Sequence, residues 1–274
     1  MLQRQRVLSG IISPDYIHNI QLFSGLAETE KEALCKGANV YSYPKKEVLF
    51  RQGDPITRFY IICSGAVKLC HATADGHEIT NHLRTAGDTM NATAAFTSVG
   101  RVHGSNAIMV KDSVILDYSI DWLKQIVEQY PSVAGNLLHA LSARAQDLEL
   151  EVKNQAYMSC QQLLACFLTK TCVSEGLDPR GFRLPYSKSL IASRLRTTQE
   201  TLSRILPRLK DFGITAESKN VRFDNLQSLE TNLCSHCPGA EKCYARKIMQ
   251  KASLDAPIAA ANSNGFNTPC SKTI

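Results

Sequence analysis

Long apolar runs are missing from this chain of 274 residues, and so are the usual signatures of catalysis. No run approaches the roughly 20 apolar residues that cross a bilayer, so we expect no membrane segment. The start, Met1–Leu8, has basic residues but only a short apolar patch and no clear cleavage site, which favours a cytoplasmic protein. No Ser/His/Asp arrangement, phosphate-binding loop or paired carboxylate cluster stands out. The sequence therefore gives little support to an enzyme.

Composition describes a globular protein with room for two domains, since 44% of the residues are apolar and 20% are charged. Ten cysteines in a chain expected to be cytosolic do not predict a disulfide framework. Most of them are expected to be buried thiols, and a closely spaced group indicates a metal site.

Positive charge is concentrated in one segment. Residues 180–222 contain ten Lys or Arg against three Asp or Glu, a net charge of +7, whereas the whole chain carries +6. The surplus therefore lies in this segment alone, as a phosphate-binding surface requires.

Within that segment, residues 187–210 have the pattern of two short helices joined by a tight turn. Apolar residues give each helix one inward face: Leu190, Ile191 and Leu195 in the first, and Leu202, Ile205, Leu206 and Leu209 in the second. The polar side chains near the start of the second helix can then point outward, where a recognition helix reaches base edges in the major groove. The predicted DNA-contacting residues are Arg196, Thr198, Gln199, Glu200, Ser203, Arg204 and Arg208.

Other roles remain open for some of these residues. Thr197 and Glu200 also fit a capping box, with Thr197 as N-cap and Glu200 at the third helical position. Arg204 could instead form an exposed pair with Glu200. Pro207 removes a backbone donor and crowds the carbonyl of Ser203, so the second helix is expected to bend or end there.

Between residues 41 and 119, turn signals recur every 11 to 13 residues, with short apolar strands such as Phe59–Ile62 and Ala66–Leu69 between them. Strands at this spacing predict a sandwich or barrel. The run from Gly53-Asp54-Pro55 to Leu69 resembles the jelly-roll signature of cyclic-nucleotide-binding domains.

A long amphipathic helix is predicted to begin at Pro131. Its apolar residues step by three and four in a coiled-coil seam formed by Leu138, Leu141, Ala145, Leu148 and Val152. Such a seam packs onto its own domain or onto a second copy of the chain. Pairing of two copies is favoured because two DNA-binding domains related by a two-fold axis match an inverted-repeat site.

The predicted fold is α+β: a β jelly roll, a dimerisation helix and a winged helix-turn-helix whose wing is residues 214–223. The predicted segments are an N-terminal extension (1–20), the roll (21–130), the helix (131–158), the DNA-binding domain (159–231), a Cys-rich metal segment (232–250) and a tail expected to be disordered (251–274).

The order Glu200, Ser203, Arg204 resembles the recognition helix of the FNR branch of the CRP/FNR transcription regulators. This resemblance implies a homodimer that reads a TTGAT-type half-site in double-stranded DNA and that works with RNA polymerase. Cyclic nucleotide is not expected as a ligand, because Ala92 stands where the ribose-binding Glu would fall and Gly104-Ser105 replaces the phosphate-binding Arg-Ser. Only a displaced Arg101 could supply a guanidinium there.

The metal segment contains Cys234, Cys237 and Cys243, a trio at x2 and x5 spacing that fits an iron–sulfur cube or a zinc ion. Residues 1–34 contain no Cys, which excludes a cluster before the roll. The trio resembles a subset of FNR regulators that bind a [4Fe-4S] cluster through three C-terminal cysteines and an aspartate of the dimer helix region, here Asp147. The implied function is sensing of oxygen, nitric oxide or redox state.

Two alternatives remain open. One is a zinc ion, with His236 or Cys270 as fourth ligand, or no metal at all. The other is a regulator controlled by a small effector in the β-roll, with structural zinc or no metal in its tail.

Overall fold

The computed structural model describes residues 5–6, 20–72, 78–97, 102–234 and 243–255. Along the chain it shows a β-roll, a long helix and a C-terminal helical unit with a small sheet, so the predicted α+β architecture is confirmed. None of the helices in these ranges has the length and apolar character needed to cross a membrane.

The β-roll is built from two antiparallel sheets, with strand orders β1-β2-β9-β4-β7 and β3-β8-β5-β6. The strands are β1 (Gln5–Arg6), β2 (Asn39–Tyr43), β3 (Val48–Phe50), β4 (Arg58–Ser64), β5 (Ala66–Ala72), β6 (Glu78–Thr85), β7 (Thr89–Met90), β8 (Asn106–Met109) and β9 (Ser113–Ser119). Alternate residues of β4 point to opposite faces: Ile62 packs with Val67 between the sheets, whereas Ile61 faces the helices. The predicted strands therefore lie in β4 and β5.

Helices cover the outer face of the larger sheet. They are a 3-10 turn (Gln21–Phe23), α1 (Glu28–Gly37), α2 (Ile120–Gln129) and the start of the long helix α3 (Pro131–Tyr157). Leu34, Leu123 and Val133 from α1, α2 and α3 are fully buried together with Phe59 and Tyr118 of the sheet. The long helix begins at Pro131 as predicted, because the missing N–H of proline is unneeded at a first helical position.

Helix α3 exposes most of its apolar seam. Leu138 and Val152 are 66% and 68% exposed, and Leu148 is also exposed. Leu141 differs, because it packs against the core beneath the helices. Away from the seam, the Nη2 of Arg144 lies 3.4 Å from His82 Nδ1 of β6, which ties α3 to the roll.

The C-terminal unit has its own core around Leu164, Leu202 and Val221. Its elements are α4 (Cys160–Ser174), β10 (Gly181–Arg183), α5 (Lys188–Arg194), α6 (Gln199–Ile205), a 3-10 helix (Leu206–Phe212), β11 (Ile214–Glu217), β12 (Asn220–Phe223), α7 (Leu226–Ser228), a π-helical turn (Leu229–Cys234) and α8 (Tyr244–Asp255). The wing is confirmed as the hairpin of β11 and β12, in which Asn220 pairs with Glu217.

The predicted start of a disordered tail at residue 251 is wrong for its first five residues. Helix α8 continues to Asp255 because its Ala245 and Ile248 are buried against the C-terminal core, and Lys251 forms a 2.9 Å ion pair with Asp255 one turn later. Residues 256–274 lie outside the described ranges, as do most of residues 1–20.

Candidate DNA-binding interface and metal site

The first helix of the predicted reading unit, α5, is capped at both ends by local hydrogen bonds. Ser187 Oγ accepts from the backbone N–H of Leu190 at 3.2 Å. At the other end, the N–H of Thr197 donates to the carbonyl of Ala192 at 2.9 Å, and that of Arg196 donates to Ser193 at 3.2 Å. These two bonds form a Schellman motif, which places Arg196 in the left-handed region at φ +53°.

The recognition helix α6 begins one residue later than predicted. Thr198, not Thr197, is the N-cap, and its Oγ1 accepts from the N–H of Thr201 at 3.2 Å. The predicted capping box from Thr197 to Glu200 is therefore wrong. The reason is that the backbone of Thr197 already closes α5, so the first extended residue available to start α6 is Thr198.

The Glu200 carboxylate still accepts hydrogen bonds at the start of α6, although Thr197 is not the N-cap. Hydrogen bonds from its own backbone N–H and from the Thr198 hydroxyl lower the pKa of the Glu200 carboxyl. The carboxylate is exposed and ionised at the start of α6, where the helix dipole also favours a negative charge. Its remaining lone pairs can accept a hydrogen bond from cytosine N4.

All of the predicted DNA-contacting side chains are exposed, whereas Leu202 on the opposite face of α6 is fully buried. The α-helix ends at Ile205 and continues as a 3-10 helix through Pro207, as predicted. Arg208 therefore lies on the 3-10 helix, and its carbonyl accepts a 2.7 Å hydrogen bond from Gln161 Nε2 of α4. The exposed side chains of the unit include those of Arg196, Thr198, Gln199, Glu200, Ser203, Arg204 and Arg208.

A cavity of about 350 Å³ lies between α3, α4, the end of α5 and the start of α8. Two of the four predicted metal ligands line it: Asp147 from α3, and the half-buried Cys243, immediately before α8. Arg194 and Arg196, which flank the turn before the recognition helix, line the same cavity. Arg194 also forms an ion pair with Glu151 of α3.

The other two predicted ligands have no described side chain. Cys234 ends the π-helical turn, and only its backbone is described, while Cys237 lies outside the described residues. The proposed zinc ligands His236 and Cys270 lie outside them as well. Within the described ranges, no three His, Cys, Asp or Glu side chains are close enough together to hold a single metal ion.

Two protein families match the chain in tandem. The cyclic nucleotide-binding domain matches residues 40–130, and the Crp-like helix-turn-helix domain matches residues 161–231. This chain belongs to the Crp/FNR family. It is a DNA-binding transcription regulator. The exposed side chains of α6 belong to its helix-turn-helix domain.

Relatives of this Crp/FNR regulator include two bacterial regulators of low identity. It is 26% identical over 189 residues to the anaerobic regulatory protein of Pasteurella multocida, which covers 68% of each chain. It is 26% identical over 190 residues to the fumarate and nitrate reduction regulatory protein of Escherichia coli strain K12, covering 68% of this chain and 74% of that one. Among solved structures, FixK2 from Bradyrhizobium japonicum matches with a TM-score of 0.61 at 22% identity, over 72% of this chain and 96% of that chain, which supports the fold.

The β-roll of this regulator has the fold of a cyclic nucleotide-binding domain. Ala92 is buried in a 3-10 turn (Ala92–Ala95), and Gly104 is exposed. Arg101 lies outside the described residues. That cyclic nucleotide is not its ligand stays a prediction.

One residue of the cavity is not predicted from the sequence. Cys166 of α4 lines the cavity together with Asp147 and Cys243, although the pattern of its helix predicts only a packing role. No local signal reveals this position, because Cys166 is separated from Cys243 by 77 residues, and only the packing of α8 onto α4 joins them.

Proposed function

We propose that the protein is a homodimeric regulator that reads a TTGAT-like inverted repeat and responds to oxygen, nitric oxide or redox state through a C-terminal iron–sulfur cluster. One observation carries the sensing half of this proposal. The cavity that holds Asp147 and Cys243 is also lined by Arg194 and Arg196, next to the recognition helix. RNA polymerase is the expected partner at promoters.

The exposed seam of α3 supports the homodimer. A helix of 27 residues that leaves Leu138, Leu148 and Val152 in solvent loses the hydrophobic stabilisation of those side chains unless a second surface covers them. The steps between them match a coiled-coil seam, and members of the family are dimeric. A parallel copy of α3 is therefore the proposed cover.

The exposed side chains of α6 support the reading of a specific half-site. Arg204 can donate two hydrogen bonds to the O6 and N7 of guanine, and Glu200 can accept one from cytosine. Ser203 lies between them on the same exposed face. Arg196 and Arg208 flank the helix and are proposed to contact phosphates, which set position rather than sequence.

The donors in the cavity fit an iron–sulfur cluster better than a zinc ion. Thiolates are the usual ligands of such clusters, and Cys243 lines the cavity. A cube places its irons at separate corners, so its ligands stand farther apart than those of one ion.

The proposed coupling between the cavity and DNA binding rests on Arg194 and Arg196, which line the cavity and lie next to the recognition helix. When bound, a [4Fe-4S] group supplies sensitivity to oxygen, nitric oxide and redox state. Cys243 would then hold the start of α8 against α3 and α4, and the Glu151–Arg194 ion pair would hold the end of α5 to the same wall. Loss of that restraint would shift the population between two dimer geometries with different spacing of the two α6 helices.

Metal and sulfide analysis of anaerobically purified protein tests the sensing half. We expect a brown protein with about four irons and four sulfides per chain. Its affinity for a TTGAT inverted repeat should fall after exposure to air, and Cys237→Ser should abolish the response while Cys35→Ser, in α1, preserves it. Stoichiometric zinc without sulfide would overturn the sensing half and would favour control by a small effector in the roll.

Light scattering tests the dimer separately. Leu148→Arg should convert the protein to a monomer that no longer prefers the inverted repeat over a single half-site. Leu254→Arg is the matched control, because Leu254 is an equally apolar and 80% exposed side chain on α8. A wild-type protein that is monomeric both with and without its metal would contradict the dimer proposal.

A further inference from the structure

The cavity beside α3 extends well past Asp147, the metal-ligand candidate on that helix. Asn154 lines it two helical turns beyond Asp147, about 10 Å farther along the helix axis. A link of two residues joins α3 to α4, and Leu163, near the start of α4, lines the cavity as well. The part of the cavity next to this link is therefore distinct from the part that contains Asp147.

The proposed dimerisation through α3 leaves this part of the cavity accessible. Leu148 and Val152 belong to the exposed seam, whereas Leu150 and Asn154 line the cavity. Because each residue of an α-helix advances by about 100° around the axis, positions two apart point in nearly opposite directions. A second copy of α3 packed on the seam would not cover the cavity side of the helix.

Apolar side chains from three parts of the chain line the cavity. They are Leu150 of α3, Leu163 and Phe167 of α4, and Leu195, which follows α5. All four are half-buried, and Phe167 adds an aromatic ring to the wall. A concave site of about 350 Å³ with apolar walls and a few polar groups has the usual form of a small-molecule site.

Two polar groups lie close together on this wall. Asn154 Oδ1 is buried and, in the part of the chain that the structure describes, accepts no hydrogen bond. A ligand N–H or O–H would supply the donor that this buried acceptor lacks. Glu151 lies three residues earlier on the same side of α3, and its ion pair brings the Arg194 guanidinium next to Asn154. Since a guanidinium has five N–H donors, pairing with one carboxylate leaves donors for another.

We propose that this part of the cavity binds a small aromatic carboxylic acid that also has an N–H or O–H donor. Its ring would lie among Leu150, Leu163 and Phe167, its donor would bond to Asn154 Oδ1, and its carboxylate would bind Arg194. The site lies outside the β-roll and uses none of the proposed metal ligands. It therefore goes beyond the iron–sulfur proposal and does not rest on it.

A ligand at this position is placed to regulate DNA binding. Arg194 is the last residue of α5, the first helix of the reading unit, whereas Asn154 belongs to the dimerisation helix. An acid that contacts both residues would fix the position of α5 against α3. By linkage, DNA and the acid then change each other's affinity by the same factor.

Calorimetry with indole-3-acetate tests the site, because this probe has an aromatic ring, a ring N–H and a carboxylate. Anaerobically purified protein should bind one probe per chain with a Kd of about 1 mM or lower. The 1-methyl analogue lacks the N–H and should bind about five- to tenfold more weakly. In Asn154→Leu the two acids should bind equally. The same affinity of both acids for the wild type would overturn the proposed contact with Asn154.

Filling the cavity tests its position. Leu163→Trp should abolish probe binding, whereas the control Leu254→Trp, at an exposed position of α8, should preserve it. Methyl NMR spectra of leucine-labelled wild type give a second measurement that needs no variant, with shifts expected at Leu150, Leu163 and Leu195. Unchanged signals from all three leucines, or full binding by Leu163→Trp, would overturn the proposal.

Fluorescence anisotropy with a TTGAT inverted repeat tests the regulation. Saturating indole-3-acetate should change DNA affinity by about fivefold or more. Probe binding without any change in DNA affinity would overturn the regulatory part. Iron and sulfide analysis of the same sample separates this proposal from the sensing function. Absence of iron defeats only the sensor, whereas iron-containing protein that binds no probe defeats only this site.

Discussion

The hydroxyl of Ser193, on the first helix of the reading unit, accepts a 2.8 Å hydrogen bond from the backbone N–H of Thr80 in strand β6. The same hydroxyl donates a 3.0 Å hydrogen bond to the carbonyl of Glu78. One side chain therefore fastens α5 to the edge of the β-roll, between residues that are 113 positions apart in the sequence.

We expect Ser193→Ala to loosen this contact between the reading unit and the roll. The change removes both bonds and leaves the amide of the buried Thr80 without this acceptor, a loss of about 1–3 kcal/mol. Hydrogen exchange measured by mass spectrometry should become faster in β6 and stay unchanged in β4 and β9. Ser189→Ala, an exposed serine of the same helix, is the control. Unchanged exchange in β6 would show that other contacts hold the two parts together.

Arg204→Ala should weaken binding to the preferred site by about 1–3 kcal/mol and flatten the preference at one base pair. Arg204→Lys keeps the charge but removes the two-donor fork, so it should lose most of the same preference while retaining affinity for random DNA. Competition binding against a set of single-base variants gives both quantities. An equal loss on every sequence would mean that Arg204 contacts only phosphate.

Arg196 occupies a backbone conformation that favours glycine. A non-glycine residue at φ +53° costs about 1 kcal/mol, so Arg196→Gly should have a free energy of unfolding about 1 kcal/mol above that of Arg196→Ala, which keeps the strain. Both variants lose the same positive charge, so DNA affinity and its salt dependence should fall equally in the two. Urea unfolding and salt-dependent binding separate these effects. Equal stability of the two variants would indicate that the left-handed turn is not strained.

His82 makes the stability of the protein depend on pH. Burial, followed by the charges of Arg144, Arg84, Arg194 and Lys170, lowers the pKa of the His82 imidazole from 6.5 to about 4. Between these two values the unfolded chain binds a proton that the folded chain does not, so the free energy of unfolding decreases as pH falls from 6.5 toward 4.

Replacement of His82 by Gln should remove this contribution. The difference in free energy of unfolding between pH 7 and pH 5 should shrink by roughly 1 kcal/mol, a value reduced for partial solvent screening. His139→Gln, at an exposed position of α3, is the matched control and should leave the difference unchanged. Urea titrations at the two pH values provide the measurement. An identical pH dependence in wild type and His82→Gln would contradict the assignment.

Several features of this fold follow from local chemistry that acts over a few residues. Pro131 starts α3 because proline suits a first helical position, and Pro207 ends α6 because it cannot donate to Ser203. The alternating strands of the roll and the hairpin of the wing follow from side-chain periodicity and turn residues, which act over a few positions.

Other features depend on contacts between residues that are distant in sequence. The start of α6 moved to Thr198 because the cap of α5 uses the backbone of Thr197. Cys166 reached the cavity only through the packing of α8 on α4, and Arg194 found Glu151 only when α5 packed beside α3. Periodicity and propensity describe which face of a helix is buried, but not which charge or thiol the neighbouring element brings to it.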